Sequence, residues 1–167
     1  MLLQWSVPSS RESDWCLQPL TAGHALLVLD LLRVAFARTE VPLNPGPGAL
    51  SETVDSLATQ ILRGGGAGAN SGGRLIGSVL WTVADGLSVS RIAVSLEWRQ
   101  RGIGSALLAA CDDEAARRGL RRLHLETRLV LAGNLRLFAR FGYREFARSP
   151  PDGDPQKTLV KLEKWIG

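Results

Sequence analysis

The sequence predicts an α+β domain, and three observations carry that reading. Two strand-like runs, Arg74 to Val83 and Ser88 to Val94, are joined through Asp85-Gly86, a dipeptide suited to a tight hairpin turn. The second run passes through a glycine-bearing turn into a segment with Ile103, Leu107, Cys111 and Ala115 at four-residue spacing, one stripe of a helix. Beyond that helix Leu123, Leu125 and Thr127 alternate with His124 and Glu126, the period of a strand with one apolar and one titratable face.

Taken in order, Trp15 to Leu20 reads as a first strand, and Thr21 is placed to cap a helix running to about Ala37, with Leu27, Leu31, Val34 and Ala35 on one face. Proline and glycine alternate with turn formers from Pro42 to Gly48, so that stretch is a loop. A second helix is expected from near Ser51, with Glu52 in its first turn and Val54, Leu57 and Ile61 on one face, ending at Gly64. Gly64 to Gly73 is of low complexity. A flexible linker is the favoured reading there, with a glycine-weakened edge strand over Ala67 to Asn70 as the alternative.

After the hairpin and the helix from Ile103, Asp113 with Arg117 and Glu114 with Arg118 stand acid before base at i,i+4 and read as a solvated face, and Gly119 ends the helix. Leu135, Phe138 and Ala139 share one face of a last helix, Gly142 supplies its left-handed stop, and strands follow at Tyr143 to Ala147 and Thr158 to Trp165.

A chain of 167 residues suffices for one packed domain and is short for two, so residues 1–167 are read as a single domain. No apolar run approaches the ~18 residues of a membrane helix, and Met1 to Trp5 lacks the features of a secretory signal. No membrane partner and a cytoplasmic location are therefore expected. Cys16 and Cys111 are too few for a disulfide framework, and no spacing of His, Cys, Asp and Glu suggests a metal site. The net charge of +4 comes mainly from arginines scattered along the second half with few aromatics between them, so no nucleic-acid partner is expected. A ligand carrying several phosphates would itself favour a positive mouth.

The segment Arg99-Gln100-Arg101-Gly102-Ile103-Gly104-Ser105 links the hairpin's second strand to the helix. A strand, a glycine turn and a helix start direct free N–H groups and the positive end of a helix dipole at one spot, where a pyrophosphate is the natural guest. Two phosphate loops fail on spacing. A Walker loop would need Lys and Ser or Thr after Gly102, and a dinucleotide fingerprint needs a small residue where Leu107 stands.

Arg99-x-x-Gly102-x-Gly104, preceded by Arg91-Ile92-Ala93-Val94 and followed by Ala106-Leu107-Leu108, resembles the acyl-CoA pyrophosphate loop of the GNAT superfamily of N-acetyltransferases. Asn134-Leu-Arg-Leu-Phe138-Ala-Arg-Phe-Gly142-Tyr143 resembles that family's late helix and strand, and the element order β-α-α-β-β-β-α-β-α-β-β is the family's. The resemblance implies a GNAT-like fold: a mixed, mostly antiparallel sheet of six to seven strands with about four helices, strands four and five splayed. It implies acetyl-CoA as co-substrate, an amine acceptor, and a fold in which a homodimer is common.

It also implies site residues. Main-chain groups of Ile92, Ala93 and Val94 would take the pantetheine arm, Arg99 to Ser105 the pyrophosphate, and Asn134 and Phe138 would face the cleft near the thiol end. The Val94 N–H would serve as oxyanion donor. Many members carry a tyrosine where this chain has Phe138, and the departure motivates a second reading, an acyl-CoA-binding module without catalysis. A thiol of pKa about 8.5 leaves tolerably without a donor, so the enzyme reading stands first. Glu126 is the preferred base, with His124, Glu97 and Asp85 as the other candidates. The acceptor is not written in the chain; the first two helices and the loops at Pro42 to Gly48 and Ser149 to Gln156 would select it.

Overall fold

A computed structural model describes residues 14–37 and 48–167; the N-terminal residues and the expected loop, apart from Gly48, lie outside them. The described elements are β1 (Cys16–Pro19), α1 (Ala25–Ala37), α2 (Val54–Arg63), β2 (Gly66–Ser71), β3 (Arg74–Val83), β4 (Leu87–Val94), α3 (Ile103–Arg117), β5 (Arg122–Arg128), α4 (Ala132–Arg140), β6 (Arg144–Ser149) and β7 (Leu159–Trp165). The strands form one sheet in the order β1-β2-β3-β4-β5-β7-β6. Every neighbouring pair is antiparallel except β4 and β5.

A core lies on each face of the sheet. Ile103, Leu107, Leu108 and Cys111 of α3 and Phe138 of α4 pack on one face with Val89, Leu123, Leu125 and Val160. Val28, Leu29 and Leu32 of α1 and Leu57 and Ile61 of α2 cover the other, against Leu75, Leu80 and Ala93. The stripe expected on α3 is the buried one.

Five expectations are corrected. On α1 the inward face carries Ala25, Val28, Leu29, Leu31, Leu32 and Ala35, while Leu27 and Val34 are 46% and 60% exposed; the helix is apolar nearly all round, so its sequence leaves the rotation open. The second helix begins at Val54 rather than near Ser51, because Thr53 caps it, its Oγ1 accepting from the Ser56 N–H at 3.1 Å. On α4, Phe138 is buried and Leu135 half-buried, but Ala139 is exposed.

The largest correction is the glycine-rich segment, which is the internal strand β2 and neither a linker nor an edge. Ala67 and Ala69 are fully buried against the α3 face. Gly66 and Gly68 lie so close to Leu80 and Leu75 that an added methyl would come within 2.7 Å of a side-chain carbon. Glycine here admits close packing, which offsets its weak strand preference.

The charges on α3 are not all solvated either. The Glu114 side chain is 4% exposed and accepts from Arg117 Nη2 at 2.7 Å and Arg118 Nε at 2.6 Å, and Arg118 Nη2 donates to the Gly64 carbonyl at 2.7 Å. Burial alone would raise its pKa, but these two guanidinium groups hold the carboxyl below the ordinary carboxylate range. Its contribution to stability is therefore complete above the unfolded-state pKa of about 4.3 and disappears as pH falls through the lower folded value. Glu114→Gln should cost about 2 kcal/mol at pH 7 by urea denaturation, and the gap from wild type should narrow in acid.

One irregularity shapes the site. Ser78 pairs with Ala93 but Leu80 with Ser90, so β4 holds one extra residue, and Arg91 adopts φ +52°. Before this bulge Leu87 and Val89 face α3; after it Ile92 and Val94 do, and Ala93 faces α1. The Arg91 guanidinium is held by Glu52 at 2.8 Å, and Glu52 also accepts from Gln60 and from Ser56. Burial opposes ionisation of Glu52, yet its hydrogen bonds from Ser56, Gln60 and Arg91 keep its pKa low. Among the described residues no helix is long and apolar enough to cross a membrane.

Candidate active site

The parallel ladder between β4 and β5 consists of Leu87 with Leu123 and Ser88 with His124, and then the strands part. The bulge at Arg91 lies just beyond this point. Ser95 N–H donates to the Ile76 carbonyl at 2.8 Å, which fixes the last peptide of β4 against β3. Main-chain groups alternate along a strand, so the N–H and C=O of Val94 and of Ile92 face the opposite edge, where β5 no longer pairs.

A cavity of about 700 Å³ fills that gap. Of the residues expected to bind, Ile92, Ala93, Val94, Arg99, Gln100, Gly102, Ile103, Gly104, Ser105, Asn134 and Phe138 line it. Arg101 does not; its guanidinium lies over the Trp98 ring, 4.7 Å from the centroid. Ala35 and Phe36 of α1 line the cavity together with residues of α3 and α4, so it connects the two faces of the sheet through the gap.

At residues 99–105 a glycine turn leads into α3 at the edge of the cavity. Gly102, at φ +80°, is the N-cap of α3, and its carbonyl accepts from Ala106 N–H at 3.0 Å. The N–H groups at the start of α3 have no partners within the helix and stand at the cavity with the positive end of the helix dipole. A Cβ on Gly104 would meet only Leu137 Cδ2, at 3.7 Å, so the fold itself tolerates a side chain there; the open surface suits a close-approaching phosphate.

A strand-sized gap, a helix start and a bare glycine meet at one cavity, and residues 39–143 match the model of the acetyltransferase (GNAT) family. The chain belongs to the GNAT family. No curated protein matches its sequence. Solved GNAT structures share the fold at low identity. The PaiA N-acetyltransferase of Thermoplasma acidophilum, in complex with coenzyme A, is 16% identical with a TM-score of 0.75, over 91% of this chain and 99% of that one. The ribosomal-protein-S18-alanine N-acetyltransferase of Escherichia coli is 20% identical with a TM-score of 0.73, over 92% and 94%. An IAA acetyltransferase from Bacillus cereus is 19% identical with a TM-score of 0.68, over 91% and 99%.

Within this GNAT fold the four candidate bases have different surroundings. Asp85 accepts from Arg122 at 2.7 Å at the hairpin turn. His124 bonds the Ala84 carbonyl through Nε2 at 2.7 Å; a carbonyl only accepts, so Nε2 carries the proton and the ring is tied to the hairpin. Glu97 is exposed beside the loop, and its own backbone N–H and the Ser95 hydroxyl hold its pKa low, which weakens it as a base. Glu126 is half-exposed on the face of β5 opposite α3, two residues past the last β4 pair, with Lys161 Nζ at 3.6 Å. It does not line the cavity but stands beside the gap on the sheet's other face.

Phe138 is buried against Tyr143, ring centroids 6.0 Å apart and edge to face, and still borders the cavity. The Tyr143 hydroxyl is buried, burial pushes its pKa up, and the residue does not line the cavity, so it is out of reach of a guest there. Asn134 Nδ2 donates to Thr127 Oγ1 at 3.4 Å, tying α4 to β5 across the end of the gap.

Trp98, Leu131, Gly133, Leu137 and Arg140 also line the cavity and were not anticipated. Leu137 follows Asn134 by three residues and was open to inference from helical spacing. Trp98 and Arg140 carry no such signal. Among the described residues no cluster of His, Cys, Asp or Glu could hold a metal.

Proposed function

We propose that this protein moves the acetyl group of acetyl-CoA to a primary amine, on a small molecule or a protein, by direct attack. The separation of β4 from β5 beyond Ser88 and His124 carries the reading, because it leaves Ile92 and Val94 main-chain groups without a strand partner along a cavity that ends on the start of α3. An extended pantetheine arm fits there as a missing strand would, with its pyrophosphate on the N–H groups of residues 103–105.

The amine enters from the opposite face, on the side of Glu126. Glu126 accepts the ammonium proton through water, and the neutral nitrogen attacks the thioester carbonyl carbon. Charge gathers on the carbonyl oxygen, where the Val94 N–H donates; donors so placed are worth about 10²–10³ in rate. The C–S bond then breaks and CoA leaves as thiolate, there being only Phe138 at the position where an acid would stand, and the proton left on the new amide nitrogen passes through water to the thiolate or to solvent.

Free-thiol release from acetyl-CoA, measured against a panel of amines beside calorimetric CoA binding, tests the proposal. The expected result is one acetylated amine per CoA released. Binding without acetylation across the panel would favour the non-catalytic acyl-CoA module that Phe138 suggests, and no binding would overturn both readings.

Phe138→Tyr gives a further expected outcome. The ring borders the cavity from a buried seat, so one added hydroxyl should leave CoA affinity within about threefold, and turnover should stay level or rise. Calorimetry with a steady-state assay checks this. A large loss of CoA affinity would show that the ring belongs to the core alone.

A further inference from the structure

We propose that Arg99 is a placeholder at the acyl end of the cleft, making the site selective for acyl carriers that bear phosphates over short thioesters. The inference rests on the acetyl-CoA reading above and adds a coupling between its two ends.

The peptide joining Val94 to Ser95 sends its N–H to the Ile76 carbonyl at 2.8 Å. In a trans peptide the C=O points the other way, so the Val94 carbonyl faces the gap left by β5. There it accepts from Arg99 Nε at 3.3 Å. The guanidinium thus lies where an extended guest would place an amide N–H to pair with β4.

Arg99 is also the first residue of the phosphate loop, exposed and lining the cavity. Three arginines near the loop are engaged elsewhere: Arg101 over Trp98, Arg91 with Glu52 and Arg74 with Glu97. Among the described residues no carboxylate pairs with Arg99. Its bond to Val94 is long and to a neutral acceptor. A pyrophosphate on the loop offers a charge-assisted and stronger partner.

Binding of the phosphates therefore draws the guanidinium away from Val94 and frees the carbonyl for the pantetheine amide. A phosphate-free thioester must displace Arg99 with no such compensation. The two ends of CoA then bind with positive coupling, reciprocal between them.

The test measures dissociation constants of CoA and of pantetheine for the wild-type protein and for Arg99→Met, which keeps the stem and loses the donor. CoA should bind Arg99→Met about tenfold more weakly, while pantetheine should bind it about threefold more tightly, a reversal that loss of a phosphate contact alone cannot produce. In the wild-type protein, which needs no variant to fold, inorganic pyrophosphate should tighten pantetheine by a similar factor. Unchanged or weaker pantetheine binding in Arg99→Met, or pantetheine affinity indifferent to pyrophosphate, overturns the placeholder while leaving the CoA site standing. Failure of the wild-type protein to bind CoA overturns the site and the placeholder together.

Discussion

In Gly104→Glu, CoA confers no thermal stabilisation, whereas the wild-type protein at a hundredfold excess over its dissociation constant gains about 5–10 °C. The gain follows from mass action: saturation to that degree is worth about 2.7 kcal/mol, and a domain of this size shifts about 2–4 °C for each. The loss follows from placement. Residue 104 lies in the first turn of α3, on the cavity, among the N–H groups proposed to hold the pyrophosphate.

A carboxylate there takes the anion's place and repels the next one. It also suits a helix start electrostatically, and a Cβ has room, the nearest atom being 3.7 Å away, so the variant should fold as the wild type does. Gly104→Ala, with only a methyl in the path of the phosphate, should fall between, about tenfold weaker for CoA. Differential scanning fluorimetry with and without CoA reads all three proteins. A wild-type-like shift in Gly104→Glu would move the phosphate site away from α3.

Glu126→Gln retains CoA affinity and loses turnover by about 10²-fold or more. The residue does not line the cavity, is half-exposed and lies outside the 99–105 loop, so binding is expected to survive. Its position just past the last β4–β5 pair suits a proton acceptor that works through water on an amine arriving from that face. The sign in pH is fixed by the role. A base must be ionised, so wild-type turnover falls as acid protonates the carboxylate, and that acidic limb should vanish with the amide in place. A pH–rate profile with a confirmed acceptor decides it. Unchanged turnover would assign proton removal to bulk water or, despite its bond to Ala84, to His124.

What could be read from the sequence follows from how strongly each pattern is tied to one geometry. The strand, glycine turn and helix from Ser88 to Arg117 were legible because the four-residue stripe of Ile103, Leu107, Cys111 and Ala115 admits one buried face. The rotation of α1 was not, since leucine and valine occupy both of its sides. Nor was β2, whose glycines look like flexibility until the leucines of β1's flank and β3 are brought within reach of them.

The bulge at Arg91 had no local signal, because an arginine at φ +52° is held by Glu52, a residue 39 positions away. Yet that bulge reverses which β4 side chains face α3 and so prepares the cleft. Ile92, Val94 and the Arg99–Ser105 loop were therefore reachable through motif resemblance, while the reason for their arrangement was reachable only in three dimensions. Glu114 is the converse case: a charge spaced like a surface pair that the guanidinium groups of Arg117 and Arg118 close over, Arg118 being tied in turn to the Gly64 carbonyl.

A crystal structure with CoA and an unreactive amine analogue tests the central claim most directly. The account predicts pyrophosphate oxygens within hydrogen-bond distance of the N–H groups of residues 103–105, the pantetheine arm along Ile92 to Val94, and the amine nitrogen on the Glu126 face of the sheet, on the far side of the gap from α3. CoA bound elsewhere, or both ligands entering from the same face, would contradict it.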